Sequence, residues 1–123
     1  MERISTTNAP GAIGPYSQAI KAGGFLYTSG QIPIDPATGL IPEGAAAQAR
    51  QALTNVTELI KAAGCDVSKT VKTVVFIQNM DDFAVINEVY AQFFTEPYPA
   101  RSCVEVAKLP KGVLIEVEAI VEL

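Results

Sequence analysis

The sequence contains no histidine. The commonest metal ligand and the commonest general base are therefore both missing. Any catalysis must run on carboxylate, Arg, Tyr, Ser, Cys, backbone groups and water, and no metal or cofactor is expected. Charge is scarce as well: only 18% of the 123 residues are charged, with nine Lys and Arg against thirteen Asp and Glu. That balance leaves no surplus of cations for the phosphate contacts that dominate nucleic-acid affinity. Long apolar runs are absent too. Stretches such as Val74–Ile77 fall far short of the ~20 residues of a membrane-spanning helix. The segment Met1–Asn8 has neither the basic start nor the apolar stretch of a signal peptide. The two cysteines, Cys65 and Cys103, form no CxxC pair. Two reduced thiols in a cytoplasmic protein are expected, with one long-range disulfide as the alternative. No Gly-rich phosphate loop, charge block, low-complexity tract or solenoid repeat occurs.

What is present is a core. With 49% hydrophobic residues, residues 1–123 suit a single domain that needs no disulfide or metal to hold it together. After a short segment at Glu2–Ser5, the Gly- and Pro-rich stretch Asn8–Pro15 reads as a loop. Tyr16–Lys21 and Phe25–Ser29 read as strands joined by a tight turn at Gly23-Gly24. A second loop, marked by Pro33, Pro36, Gly39 and Pro42, leads to a helix over Ala45–Ala63. Ala49, Ala52, Leu53, Val56, Leu59, Ile60 and Ala63 recur at the spacing of one buried helical face. Gln48, Arg50, Gln51, Thr54, Glu58 and Lys61 fall mostly on the polar remainder, and Gly64 suits the position just past the helix end.

Thr70–Gln78 is β-branched and nearly continuously apolar, which predicts a central strand buried on both faces. Asp81 is placed to cap a helix over Asp82–Phe94 with an inward stripe of Phe83, Ile86, Tyr90 and Phe93 or Phe94. Arg101–Ala107 and Val113–Glu122 read as closing strands, the last with apolar residues at odd positions and Glu116, Glu118 and Glu122 at even ones. The expected fold class is α+β: a mixed β-sheet with two helices on one face. Two helices cannot cover both faces, so self-association is expected to bury the second. The alternative is a monomer whose opening loop folds across it.

The candidate chemistry gathers near the carboxyl end. If the last two strands pair as a hairpin about Pro110-Lys111, then Glu105 faces Glu116 and Cys103 faces Glu118. Arg101, Cys103, Glu105, Glu116 and Glu118 would then share one polar face, a register that a one-residue slip inverts. Arg101 suits bidentate capture of a carboxylate, or else an internal salt bridge to Glu105, Glu116 or Glu118. Cys103 is either a nucleophile without an activating base or a small apolar packing residue. Glu116 can exchange a proton with water or a leaving group, or simply be a solvated carboxylate. Tyr16, Ser29 and Asn87 are polar groups near element ends, uninformative one at a time. Ser29-Gly30 reads as a backbone-shaping turn with open N–H groups as a second use.

Taken together, three stretches resemble one family: Asn8-Ala-Pro-Gly-Ala-Ile-Gly-Pro-Tyr-Ser-Gln-Ala, Tyr27-Thr-Ser-Gly-Gln-Ile-Pro, and Pro99-Ala-Arg-Ser-Cys-Val-Glu-Val-Ala-Lys-Leu-Pro-Lys. They resemble the RidA group of the YjgF-type reactive intermediate deaminases, at collinear spacing from about Ser5 to the last residue. The resemblance implies a chorismate-mutase-like fold assembled as a homotrimer, its sheets forming a central barrel with three sites at subunit clefts. It implies hydrolysis of 2-imino acids, the tautomers of 2-aminoacrylate and 2-aminocrotonate, to 2-keto acids and ammonia. Carried over by position, Arg101 would grip the substrate carboxylate, and Tyr16, Ser29, Gly30 and Asn87 would line the pocket. The Cys103 carbonyl would help hold a water on which Glu116 works. Thr95–Pro99 is shorter than in versions of the family with longer loops, so the resemblance extends to the core set of residues but not to the pocket rim or the substrate range. The rival readings are a non-catalytic trimer that binds small carboxylates or a protein partner, and an RNA-acting protein, against which the acidic composition and missing histidine argue.

Overall fold

The computed structural model describes all 123 residues. Six strands form one sheet: β1 (Glu2–Ile4), β2 (Ala19–Ala22), β3 (Phe25–Thr28), β4 (Thr70–Ile77), β5 (Ala100–Glu105) and β6 (Ile115–Glu122). Their order is β1-β2-β3-β6-β4-β5. Only β4 and β5 run parallel, joined by the crossover helix α2 (Phe83–Tyr90); every other pair is antiparallel. The sheet is mixed, as expected of a chain that mixes hairpins with one strand-helix-strand unit.

Helix α1 (Ala45–Ala62) buries the full predicted stripe, from Ala49 to Ala63. It packs with α2 over Leu26 of β3, Val75 and Ile77 of β4, and Ile115, Val117, Ala119 and Val121 of β6. Gly64 ends it at φ 74°, a backbone angle that favours glycine. Gly23 and Gly24, both at positive φ, turn the β2–β3 hairpin. Gln48 departs from its assignment to the polar face of α1: it is buried, as are Asn55 and Thr57.

Three other expectations are corrected. The β2 strand begins at Ala19 rather than Tyr16, because Gln18 instead ties the opening loop, donating to Pro10 O at 2.7 Å and accepting from Thr6 N at 2.8 Å. The cap before α2 is Asn79, whose Oδ1 accepts from Asp81 N at 2.9 Å over a 3₁₀ turn at Met80–Asp82. The helix stops at Tyr90 rather than Phe94, since Gln92 N and Phe93 N bond three residues back, to Val89 O and Tyr90 O, and tighten the last turn.

A fourth correction reaches the site. β5 and β6 do not form a hairpin; β4 lies between them. Arg101, Cys103 and Glu105 align with Thr73, Val75 and Ile77, so they lie on the helix-covered face. Glu116 and Glu118 align with Phe76 and Val74 and lie on the opposite face, with Ser102 and Val104. On that open face Val74, Phe76 and Ile120 are half-buried, while Tyr27 and Val104 are exposed. No helix is long and apolar enough to cross a membrane.

Candidate functional site

On the helix side, β5 starts directly after Tyr98-Pro99 and aims Arg101 at α2. Its Nη1 donates to Asn87 Oδ1 at 2.7 Å. Its guanidinium carbon stands 4.7 Å from the centre of the Tyr90 ring and 5.5 Å from that of Phe83, within cation–π range of both. Phe83, Asn87 and Tyr90 are spaced four and three apart, so one stripe of α2 supplies all three contacts. The Tyr90 hydroxyl is engaged with Thr73 Oγ1 at 2.7 Å. Arg101, Asn87, Tyr90, Ala91, Tyr98 and Pro99 line a cleft of about 400 Å³.

The internal salt bridge open to Arg101 in the sequence is not formed. The only ion pair in the structure joins Lys61 to Glu58 at 3.7 Å. Arg101 thus offers a guanidinium edge with no carboxylate of its own chain upon it, the geometry that bidentate carboxylate recognition requires.

Cys103 packs its side chain against the core. Burial raises its thiol pKa, with the Arg101 charge working the other way. A thiol so placed is held protonated and is a poor nucleophile, in keeping with the packing reading. Cys103 and Cys65 are both unpaired. The Cys103 backbone is another matter. Val106 N donates to Ile77 O at 2.9 Å, so by strand alternation the even residues of β5 bond to β4 and the Cys103 carbonyl points off the free edge of the sheet.

On the open face, Glu116 is seated against Gly30. A Cβ at Gly30 would stand 2.9 Å from Glu116 Cδ and closer still to Oε1. The chain achieves this approach by leaving the β3–β6 ladder and returning to it. Thr28 Oγ1 accepts from Ala119 N at 3.0 Å, the Ser29-Gly30 pair follows, and Gln31 rejoins β6 through two backbone bonds to Val117, at 2.7 and 3.1 Å. Ser29 Oγ donates to Ser17 O at 2.6 Å and ties this bend to the segment carrying Tyr16, whose side chain is exposed. Burial, and then the like charge of Glu118, raise the Glu116 carboxyl above its ordinary pKa.

The predicted residues therefore fall into two clusters. Arg101, Asn87 and Cys103 lie on the helix side; Glu116 lies against Gly30 on the open face, with Ser29 next to Gly30 in the bend and Tyr16 on the segment that Ser29 holds. The aromatic contacts of Arg101 do not follow from the inward stripe of α2, which marks Phe83 and Tyr90 as core; their shared stripe with Asn87 is the signal in the sequence. No group of three or more His, Cys, Asp and Glu side chains converges anywhere.

A family model described as Endoribonuclease L-PSP matches residues 6–123. The chain belongs to that family. A Salmonella typhimurium protein named 2-iminobutanoate/2-iminopropanoate deaminase is 56% identical over 120 residues, spanning 95% of this chain and 94% of its own. A Bos taurus protein of the same name is 52% identical over 118 residues, spanning 95% and 86%. Among solved structures, the YjgF gene product of E. coli superposes with a TM-score of 0.95 at 50% identity, covering 99% of this chain and 98% of its own. E. coli TdcF with bound serine gives the same TM-score and identity, covering 100% and 99%. The YjgF-type resemblance, the α+β class and the mixed sheet with two helices are thereby borne out for this L-PSP chain.

Proposed function

We propose that the protein is an enamine/imine deaminase that hydrolyses 2-iminobutanoate and 2-iminopropanoate to 2-keto acids and ammonia, with Arg101 binding the carboxylate and Glu116 activating water. The observation that carries this reading is Arg101 itself, oriented by Asn87 and two aromatic rings at the edge of a cleft and free of any carboxylate. The names of relatives at 52–56% identity supply the substrate class.

The chemistry asks little of the protein. A protonated imine is already electrophilic and decays in water unaided, and each tenfold acceleration needs only about 1.4 kcal/mol. Arg101 would hold the substrate carboxylate and so orient the C=N carbon. Glu116 would take a proton from water as its oxygen bonds to that carbon, giving the carbinolamine. It would then give that proton to nitrogen and accept the hydroxyl proton of the carbinolamine as the C=O bond forms and ammonia leaves. A carboxyl whose pKa is raised is suited to both transfers. The outward Cys103 carbonyl is available to hold the water, and Tyr16, Ser29 and Gly30 would complete the pocket wall.

Arg101 and Glu116 project from opposite faces, so the proposed site draws each from a different copy of the chain. The exposed Tyr27 and Val104 and the free edge of β5 are the surfaces such an assembly would bury. A homotrimer with its sheets forming a central barrel and sites at the interfaces meets both needs. The test is a coupled assay in which a dehydratase generates 2-aminocrotonate or 2-aminoacrylate in situ and keto-acid release is followed. Release faster than the enzyme-free decay supports the reading. Release at the uncatalysed rate with both substrates overturns it in favour of a carboxylate-binding trimer.

A further inference from the structure

Two buried amides of α1 take no part in the chemistry above, yet both hydrogen-bond chain segments that flank Glu116. Asn55 has no exposed surface. Its Nδ2 donates to Ile32 O at 3.0 Å and to Ile34 O at 2.9 Å, and its Oδ1 accepts from Gln51 Nε2 at 2.9 Å. Gln48 Oε1 accepts from Leu114 N at 2.8 Å, and the Leu114 carbonyl in turn accepts from Gln78 N at 3.0 Å. Ile32 follows Gly30-Gln31 immediately, and Leu114 stands two residues before Glu116. One helix thus grips both sides of the contact between the Glu116 carboxylate and the Gly30 backbone.

We infer that Asn55 and Gln48 are positioning residues for Glu116: Asn55 holds the segment that presents Gly30, Gln48 holds the start of β6, and together they fix where the carboxylate sits. Helix α1 lies on the face opposite Glu116, so neither amide touches the proposed substrate; each acts through backbone. The inference rests on the deaminase reading for what Glu116 does, but the placement of its carboxylate can be read without any activity. The other titratable groups on the open face are Glu118 and Glu122 of β6, Lys72 of β4, Tyr27 of β3 and Arg3 of β1, and none of them is altered by the variants below.

The two amides have opposite hydrogen-bonding duties, and this makes the test selective. Asn55 donates twice, so Asn55→Asp cannot keep both bonds to carbonyls at nearly constant shape. Gln48 accepts, so Gln48→Glu keeps its bond while Gln48→Ala loses it. The full-length chain of each variant is titrated by carbon-13 NMR of the glutamate carboxyls, with Glu116 assigned from its absence in Glu116→Gln, and is then assayed for deamination. In Asn55→Asp and Gln48→Ala the Glu116 midpoint should fall toward the ordinary carboxylate range as the side chain leaves Gly30 for water. The same variants should lose about ten-fold or more in kcat, while KM and the affinity for 2-oxobutanoate stay within about two-fold. Gln48→Glu should match the unaltered protein on every measure. An unmoved Glu116 midpoint in both damaging variants overturns the inference, as does a parallel loss of product affinity. If Asn55→Asp fails to fold, Gln48→Ala and Gln48→Glu decide alone. If the unaltered protein shows no deamination, the deaminase reading falls, and the titration still decides the placement.

Discussion

Arg101 and Glu116 stand on opposite faces of one sheet, with β4 between their strands. Thr73 is the β4 neighbour of Arg101 and Phe76 that of Glu116, and adjacent levels differing by three residues put the two side chains on different sides. Within one chain the guanidinium meets Asn87, Tyr90 and Phe83, and the carboxylate meets Gly30. Neither satisfies the other. An enzyme that uses both must assemble its site from two copies.

Mixing two inactive variants tests that division directly. Arg101→Ala and Glu116→Gln should each be inactive alone. Co-assembled in equal amounts from denaturant, they should regain about one site in four, because a random interface pairs an intact arginine with an intact carboxylate at that frequency. No recovery would mean that both residues come from the same copy.

Arg101→Ala should lower kcat/KM on the order of 10²-fold or more, about 3 kcal/mol of lost charge-assisted binding. It should also abolish competition by 2-keto acids. Arg101→Lys should rescue little, since an ammonium cannot reproduce the planar fork that rests near two aromatic rings. Steady-state kinetics with 2-oxobutanoate as inhibitor would check both outcomes.

Glu116→Gln should lower kcat by about 10²–10⁴-fold. The acidic limb of the wild-type pH profile should lie above the ordinary carboxylate range, for burial first and the Glu118 charge second, and should move down in Glu118→Gln. The same shift has a sign in stability. A carboxyl whose folded pKa is raised binds more protons folded than unfolded, so its contribution declines as pH rises between the ordinary and the raised value. Glu116→Gln should therefore be more resistant to heat than the unaltered protein at neutral pH and should lose that advantage in acid, as scanning calorimetry at fixed protein concentration would show.

Gly30→Ala probes the carboxylate seat without touching a titrating group. Gly30 does not occupy the left-handed region, and the atoms in the way of a Cβ belong to the end of the Glu116 side chain. The fold should accept the methyl while the carboxylate is displaced, giving a drop in kcat of about ten-fold or more with KM nearly unchanged. Circular dichroism and kinetics on the same preparation separate the two effects.

Several elements were legible because their signals are local. The buried stripe of α1 follows from a period of three and four, the β2–β3 turn from Gly23-Gly24, and the inward residues of β6 from strict alternation. The pairing of β5 was not legible. Leu109-Pro-Lys-Gly112 reads as a hairpin connection, and only the parallel docking of β5 on β4 through α2 shows otherwise. That one difference in strand order moved Arg101 and Cys103 to the helix side. Gln48 and Asn55 were invisible for another reason: an amide has no hydrophobic period, and its burial depends on which distant carbonyl or N–H it meets.

The amino-acid sequence alone determined the residue types available for chemistry, the family, the helical and strand periods and the need for a cover over a second apolar face. These rest on composition, collinear motifs and near-neighbour periodicity. Tertiary structure alone decided which face each site residue occupies, that Arg101 has no ionic partner in its own chain, and that Glu116 lies against Gly30. Strand order and face depend on contacts between segments far apart in the chain, and a period of two leaves both faces of a strand equivalent until its neighbours are known.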